Sequence, residues 1–296
     1  MTHNSKRAWK TIKKLNSENK TATRVAAVTP NEVASQLLRN GKPSNKERGH
    51  TKNMKREMTR TMQESEDHVD LFTMEELEKA LSSLKLGKTA GLDGITTEVL
   101  QHFGPRAKTW ILALFNQCAT HTTIPKAWRK ARVVALLKPG KDPNHKKSYR
   151  PISLLSIPYK LYERMIMSRM SPTVEQQLSP DQAGFRPGRS CCDQLLNLTQ
   201  YIEDGFETKQ ITGAVFVDLT AAYDTVNHRI LLLKIAKVIK NKRIVRIIES
   251  LLKKQTVFCG NGWKKKQVSH PEKWTPTRFC ISSNTLQHLH KRPACF

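Results

Sequence analysis

The sequence predicts an α+β fold with a mixed or antiparallel sheet. Segments with helical periodicity come first, a pair of short extended segments follows, and further helical segments surround one more short apolar run at 214–218. Strands that do not alternate regularly with helices argue against a parallel doubly wound sheet. With 296 residues the chain can bury a substantial core. We therefore expect a helix-rich α+β protein.

End signals mark the first helices. Thr73, followed three residues later by Glu76, is typical of a capping box, and it predicts a helix that ends at Gly87. Two further helices are expected at about 96–102 and 105–120. The glycine-rich loop 87–95, which precedes the second helix, lacks the spacing of a phosphate-binding loop. Its local pattern therefore indicates only a helix cap and a turn.

A β-hairpin is predicted next. The apolar, partly β-branched segment 131–137 precedes Lys138-Pro139-Gly140-Lys141, which is a turn sequence, and 149–155 returns as the second strand. Helices are expected at 158–170 and 192–203, on either side of a basic glycine loop.

The segment 229–252 is basic and apolar with helical spacing, and it is interrupted near Lys240 and Asn241. A helix on a membrane surface, or one resembling a calmodulin target, is one interpretation. We favour a core helix behind the predicted strand 214–218, because a strand that carries a site residue needs support.

The charge predicts a polyanionic partner. Lys and Arg number 51 against 25 Asp and Glu, for a formal net charge of +26. Nucleic acid is the natural partner of such a chain, and a solvated basic face is the alternative. No apolar run approaches the roughly 18 residues of a membrane span, and the N-terminus has no signal peptide. A cytoplasmic or nuclear location with reduced cysteines is expected.

The chain is expected to divide into three parts. Residues 1–70 are polar and basic and are expected to form a linker or arm, and 71–255 carry the folded domain. Residues 256–296 are expected to be an out-of-frame, disordered tail, because a slip of the reading frame would leave them without selection for packing.

Asp218 is the strongest chemical signal. A carboxylate at the end of a buried strand is a rigid ligand for a hard divalent ion. After Asp224, however, the only acidic residues are Glu249 and Glu272. A two-metal site needs several converging carboxylates, so the sequence carries half of such a site.

Five motifs then occur in a fixed order. They are Gly91-x-Asp93-Gly94-Ile95, Lys138-Pro139-Gly140-Lys141, Tyr149-Arg150-Pro151-Ile152-Ser153-Leu154, Gln182-x-Gly184-Phe185-Arg186-x-Gly188-Arg189-Ser190 and Phe216-x-Asp218-Leu219-x-x-Ala222-Tyr223-Asp224. In this order, over roughly residues 75–255, they resemble the reverse transcriptases of non-LTR retrotransposons, the LINE-like and jockey-like elements. The resemblance implies a right-hand polymerase fragment, with fingers, the first part of the palm and an incomplete sheet.

The resemblance also implies site residues and partners. Asp218 and the Leu219 carbonyl would bind Mg²⁺, and Tyr223 would be the steric gate under the sugar of the incoming nucleotide, although a core aromatic is the plainer interpretation. Arg150 and Lys138 would bind the triphosphate. The template–primer path would be lined by Arg186, Arg189, Gly184 and Gly188.

The implied activity is RNA-directed DNA polymerisation, with an RNA template, a DNA primer and deoxynucleoside triphosphates as partners, and no membrane. Nothing in the sequence indicates an oligomeric state. Because the acidic residues are too few, the fragment is expected to be inactive alone. The alternative is a nucleic-acid-binding fragment without catalysis.

The C-terminal part departs from the family pattern. Where the family reads Gly-Leu-Pro-Gln-Gly-Ser-Val-Leu, this chain has Trp274-Thr275-Pro276-Thr277-Arg278-Phe279-Cys280-Ile281. Codons for these residues can be written TGG ACT CCC ACA AGG TTC TGT ATT. Without the first base they read GGA CTC CCA CAA GGT TCT GTA TT, which restores the family pattern.

We therefore predict a slip of the reading frame between Val257 and Lys273, which would truncate the domain. Sequencing the coding DNA tests this prediction. An in-frame gene with no hidden Gly-Leu-Pro-Gln-Gly reading would refute it.

Overall fold

The structure is a computed structural model, and it describes residues 28, 32, 35, 53, 56–62, 68–217, 226–253 and 256–259. Its helices are α1 (Met74–Ser82), α2 (Thr97–Gln101), α3 (Pro105–His121), α4 (Ile157–Glu175), α5 (Cys191–Glu207), α6 (His228–Val238) and α7 (Lys242–Leu252). Its strands are β1 (Lys130–Leu137), β2 (Tyr149–Leu154) and β3 (Thr256–Cys259). The predicted helix-rich α+β class is confirmed.

Helix α1 begins with the predicted capping box. The Thr73 hydroxyl accepts a hydrogen bond from the Glu76 amide at 3.2 Å, and the Glu76 carboxylate accepts one from the Thr73 amide at 2.9 Å. The helix ends at Ser82, before the predicted end at Gly87. The Ser83 hydroxyl donates to the Ala80 carbonyl at 2.6 Å, which satisfies an acceptor in the last turn.

The hairpin is confirmed within a three-stranded mixed sheet of order β2-β1-β3. Strand β1 pairs antiparallel with β2 and parallel with β3. Side chains alternate between the two faces of a strand. On the inward face, Val133 lies opposite Ser153, and both side chains are buried. The outward face of the hairpin remains available for a ligand.

Helix α4 is the centre of the core, with eleven of its 19 residues buried. Its buried residues lie on most sides of the helix, and a polar stripe that includes Lys160, Arg164 and Ser168 is left partly buried or exposed. The Tyr162 ring lies 5.2 Å from the Phe115 ring and 6.2 Å from the Trp128 ring, centroid to centroid. Phe72 meets Tyr162 edge to face at 6.0 Å. Burial raises the pKa of the Tyr162 hydroxyl well above its ordinary value.

Helices α6 and α7 are separated at 239–241, close to the predicted interruption, and both belong to the core. The buried Tyr159 hydroxyl donates to the Leu251 carbonyl at 3.2 Å and so connects α4 to α7. Their apolar side chains are therefore used in packing, which supports the prediction of core helices over that of a surface helix. Those buried in the core include Leu231, Ile235, Val245 and Ile248.

The predicted strand at 214–218 is not formed over its described part. Residues 214–217 are outside any strand, and the side chains of Val215, Phe216 and Val217 are 82–89% exposed. Asp218 itself lies outside the described residues. A strand needs a neighbour for its ladder, and within the described residues the edge of β1 opposite β2 pairs with β3. Local apolar character could not predict this pairing.

Part of the predicted arm packs on the core. Residues 56–62 are helical, with Met58 and Met62 against the core, and Arg246 donates to the Met62 carbonyl at 3.0 Å.

Of the cysteines in the described ranges, Cys118 is buried, and burial raises the pKa of its thiol to about 11. Within the described part, no helix combines the length and apolar character that a membrane crossing requires.

Arg169 connects α4 to the segment before α1. Its guanidinium donates to both carboxylate oxygens of Glu76 at 2.7 Å and to the Leu71 carbonyl at 2.9 Å. It also lies 4.2 Å from the centroid of the Phe72 ring. The hydrogen bonds from Arg169 hold the pKa of the Glu76 carboxyl below its usual value of 4.5.

A lowered pKa in the folded state means that Glu76 stabilises the fold above pH 4.5 and that this contribution is lost as the pH falls below it. Below that pH, we expect the free energy of unfolding of the wild type to fall more steeply than that of the Glu76→Gln variant. Urea unfolding at about pH 6 and about pH 3.5 measures the difference. Glu75→Gln, an exposed carboxyl in the same turn, is the control. Parallel pH profiles for the wild type and Glu76→Gln would contradict the prediction.

Candidate nucleic-acid interface

The residues predicted to bind metal lie outside the described part of the chain. They are Asp218 and the Leu219 carbonyl, and Tyr223, the predicted steric gate, also lies outside that part. Among the residues that the structure describes, no three His, Cys, Asp or Glu side chains come together as a metal site. These described residues therefore do not provide the ligand set that Mg²⁺ requires.

Lys138 lies where β1 ends and closes the hairpin. Its amide donates to the Ser148 carbonyl at 2.8 Å, and its ammonium group donates to the Lys147 carbonyl at 2.9 Å. The turn follows at Pro139 and Gly140, with Gly140 at φ +69°, a conformation that glycine adopts at little cost. One of the three ammonium donors is therefore used inside the hairpin, which leaves fewer of them for a phosphate.

Arg150, by contrast, is exposed on the outward face of the hairpin. It lies directly opposite Leu136, and two residues further along the ladder Val134 faces Ile152. Opposed residues of an antiparallel pair point to the same face. Within the described residues, no hydrogen bond or ion pair engages the Arg150 guanidinium. Of the two residues predicted to bind the triphosphate, Arg150 is the one whose side-chain N–H donors are all available.

The second group of predicted residues lies in the loop 183–189, which consists of two successive turns. The Arg186 amide donates to the Ala183 carbonyl, and the Arg189 amide donates to the Arg186 carbonyl, both at 3.4 Å. Gly188 takes the left-handed conformation of the second turn at φ +69°. In the first turn Phe185 takes it, at φ +60°, which costs an L-residue roughly 1–2 kcal/mol.

Arg186 points inward rather than toward solvent. Its side chain is 11% exposed and forms an ion pair with Glu175, the last residue of α4, at 2.6 Å. It also donates to the carbonyls of Ser179 and Gln182, at 2.8 Å and 3.1 Å. These contacts occupy the guanidinium and attach the loop to α4.

The other predicted residues of this loop remain exposed. Arg189 and Gly184 are exposed, and a methyl group added at Gly188 would meet no atom within 4 Å. Phe185, which sequence reasoning did not assign to the site, is 61% exposed. Its only signal in the sequence is an aromatic residue directly after a glycine in a basic loop.

Helix α4 carries both groups at its two ends. Strand β2 leads into its first turn, and Arg186 binds its last residue. Nineteen helical residues span about 28 Å, which is the distance between the two ends of α4 at which the hairpin and the loop are attached. A ligand that touches both groups has to be extended, as a nucleic acid strand is.

Comparison with known proteins identifies the family. Residues 137–283 match the family described as "Reverse transcriptase (RNA-dependent DNA polymerase)". The chain belongs to the reverse transcriptase family. The match includes the hairpin residue Lys138, Arg150 and the whole loop 183–189.

The relatives that this chain matches come from non-LTR elements. The chain is 37% identical over 166 residues to the "Probable RNA-directed DNA polymerase from transposon BS" of Drosophila melanogaster, which covers 55% of this chain and 18% of the relative. It is 32% identical over 183 residues to the "RNA-directed DNA polymerase from mobile element jockey" of Drosophila funebris, covering 61% and 20%. The chain thus spans about a fifth of the length of these relatives. The predicted resemblance to LINE-like and jockey-like reverse transcriptases is confirmed.

The two arginines of the loop should respond differently to substitution. Arg186→Ala removes contacts from a mostly buried guanidinium, and we expect a loss on the order of 2 kcal/mol in the free energy of unfolding. That loss is moderated because the Glu175 side chain is 42% exposed. Arg189→Ala should change stability by less than about 0.5 kcal/mol but weaken binding of single-stranded RNA.

Urea unfolding and fluorescence anisotropy with labelled RNA measure the two effects. Lys79→Ala, an equal loss of charge on α1, is the control. Equal effects of Arg186→Ala and Arg189→Ala on stability would contradict the separation of roles.

Proposed function

We propose that this chain is part of the RNA-directed DNA polymerase of a non-LTR retrotransposon and that it contributes fingers and the first part of the palm. An RNA template, a DNA primer and deoxynucleoside triphosphates would be its partners, in the cytoplasm or the nucleus. The observation that carries the proposal is the family match over 137–283. The exposed Arg150 and Arg189 within that range support it.

In this proposal Arg150 binds the triphosphate of the incoming nucleotide. A guanidinium presents a planar set of N–H donors that fits two phosphate oxygens at once. Lys138 has a weaker claim to the same role, because its ammonium group already closes the hairpin. Arg189 would bind a template phosphate, and the open space at Gly188 would let the backbone approach the strand.

Asp218 and the Leu219 carbonyl would hold Mg²⁺, and Tyr223 would contact the sugar of the incoming nucleotide. When bound, such an ion lowers the pKa of the primer hydroxyl and offsets charge on the departing pyrophosphate. The sequence supplies too few carboxylates after Asp224 for a two-metal site. We therefore propose that this chain does not polymerise by itself.

The proposed slip of the reading frame would explain that shortage. The family match runs to residue 283 in the given frame, beyond the proposed slip, so the match by itself does not support the idea. What supports it is that residues 274–281 can be encoded so that the shifted frame reads Gly-Leu-Pro-Gln-Gly.

The second candidate is a nucleic-acid-binding fragment without catalysis. The net charge of +26 favours it, because neutralised phosphates release counterions and so drive binding. Both candidates require RNA binding, but only the first ties that binding to residues of the polymerase site. A basic surface alone would bind wherever its charge is greatest.

Primer extension on a poly-A template with Mg²⁺ or Mn²⁺ tests the proposal. We expect no incorporation by this chain, together with RNA binding that weakens steeply with salt, as it does when several phosphates are neutralised. Incorporation that disappears in Asp218→Ala would overturn the proposed inactivity. No RNA binding at low salt would count against both candidates.

A further inference from the structure

Phe185 combines two features that folding alone disfavours. Its ring is 61% exposed, and its backbone has a φ of +60°. Glycine would adopt this conformation without the steric penalty, and Gly184 directly precedes it. A strained, exposed aromatic residue that the surrounding structure keeps in place is a reason to look for a function.

Contacts of the neighbouring residue hold the backbone that carries the ring in place. The next residue, Arg186, binds Glu175 and two carbonyls, which attaches the loop firmly to the end of α4. The second turn follows at once, with Gly188 in the left-handed conformation. Phe185 also borders an apolar groove whose other lining residues include Met167, Val174, Leu178 and Pro187. The loop thus presents an aromatic ring on a rigid base.

The surroundings of the ring fit a nucleic acid strand. Arg189 is exposed within the same loop, and within the described part of the chain no atom beyond the adjacent residues lies within 4 Å of a methyl group placed at Gly188. An aromatic face beside a cation is how proteins bind single strands without regard to sequence, because every base offers a face for stacking. The formal charge of +26 attracts the same ligand.

We propose that Phe185 stacks against one base of the single-stranded RNA template, that Arg186 positions it through Glu175, and that Arg189 binds an adjacent phosphate. This inference rests on the proposed function. It adds a contact to a base, where the resemblance pointed only to arginines and glycines. The ring would bind the template without selecting for a particular base.

The test uses the complete 296-residue chain and a short fluorescein-labelled single-stranded RNA. Phe185→Gly should weaken binding about tenfold, since one stacked base is lost. Phe185→Tyr keeps the ring and should bind within about twofold of wild type. Trp110→Ala removes another exposed aromatic, 74% exposed on α3, and should leave the affinity unchanged.

Two further readouts separate stacking from a structural role. Phe185→Gly relieves the backbone strain, so its free energy of unfolding should be no lower than that of the wild type. Its binding should keep the wild-type dependence on salt, because no phosphate contact is lost. In contrast, Arg189→Ala should lower the salt slope by about one.

The outcomes are distinguishable. If wild-type chain fails to bind RNA at low salt, the proposed function itself fails. If wild type binds and Phe185→Gly binds equally well, only the stacking inference is overturned. The inference is equally overturned if Phe185→Gly lowers stability in parallel with binding, or if its sole effect is to disperse a dimer seen by sedimentation.

Discussion

The burial of α4 is the constraint on which the rest of the structure depends. Eleven of its 19 residues are buried, and its Tyr162 ring packs against the rings of Phe72, Phe115 and Trp128. Such an interior tolerates little displacement, because it is close-packed. Whatever is attached to either end of α4 is therefore held at a fixed distance and orientation. The hairpin is attached at one end and the basic loop at the other.

This arrangement gives neighbouring arginines opposite tasks. Arg186 is directed inward, and its guanidinium donates to Glu175 and to backbone carbonyls, while the Arg189 side chain is exposed to solvent. A loop that binds an extended polyanion needs both kinds of residue. Arg186 fixes the loop to the scaffold, and in the proposed function Arg189 would bind the ligand. The same division applies to the hairpin, where Lys138 closes the turn and Arg150 remains available.

Local signals in the sequence predicted much of the fold. The capping box at Thr73, the turn at Pro139 and Gly140 and the hairpin all depend on residues close in the chain. Features that depend on distant partners were not predictable in this way. The absence of a strand at 214–217 is one, because strand formation depends on which neighbour is available.

The site shows the same limit. The ordered motifs were sufficient to identify a reverse transcriptase, but they placed Arg186 and Arg189 in one role. Their separation depends on Glu175, eleven residues before Arg186, and on the backbone carbonyls that face the loop. Phe185 was passed over because exposure and a positive φ are properties of the folded loop. An aromatic residue after a glycine predicts neither an exposed ring nor a positive φ.

Photo-crosslinking of the complete chain to RNA that contains 4-thiouridine, followed by peptide mapping, tests the central claim most directly. The claim is that the outward face of the hairpin and the loop at the far end of α4 form one nucleic-acid interface. Crosslinks at 183–190 and on the hairpin segments 134–138 and 149–152 are the predicted result. Crosslinks confined to 1–70 and 260–296 would contradict the claim.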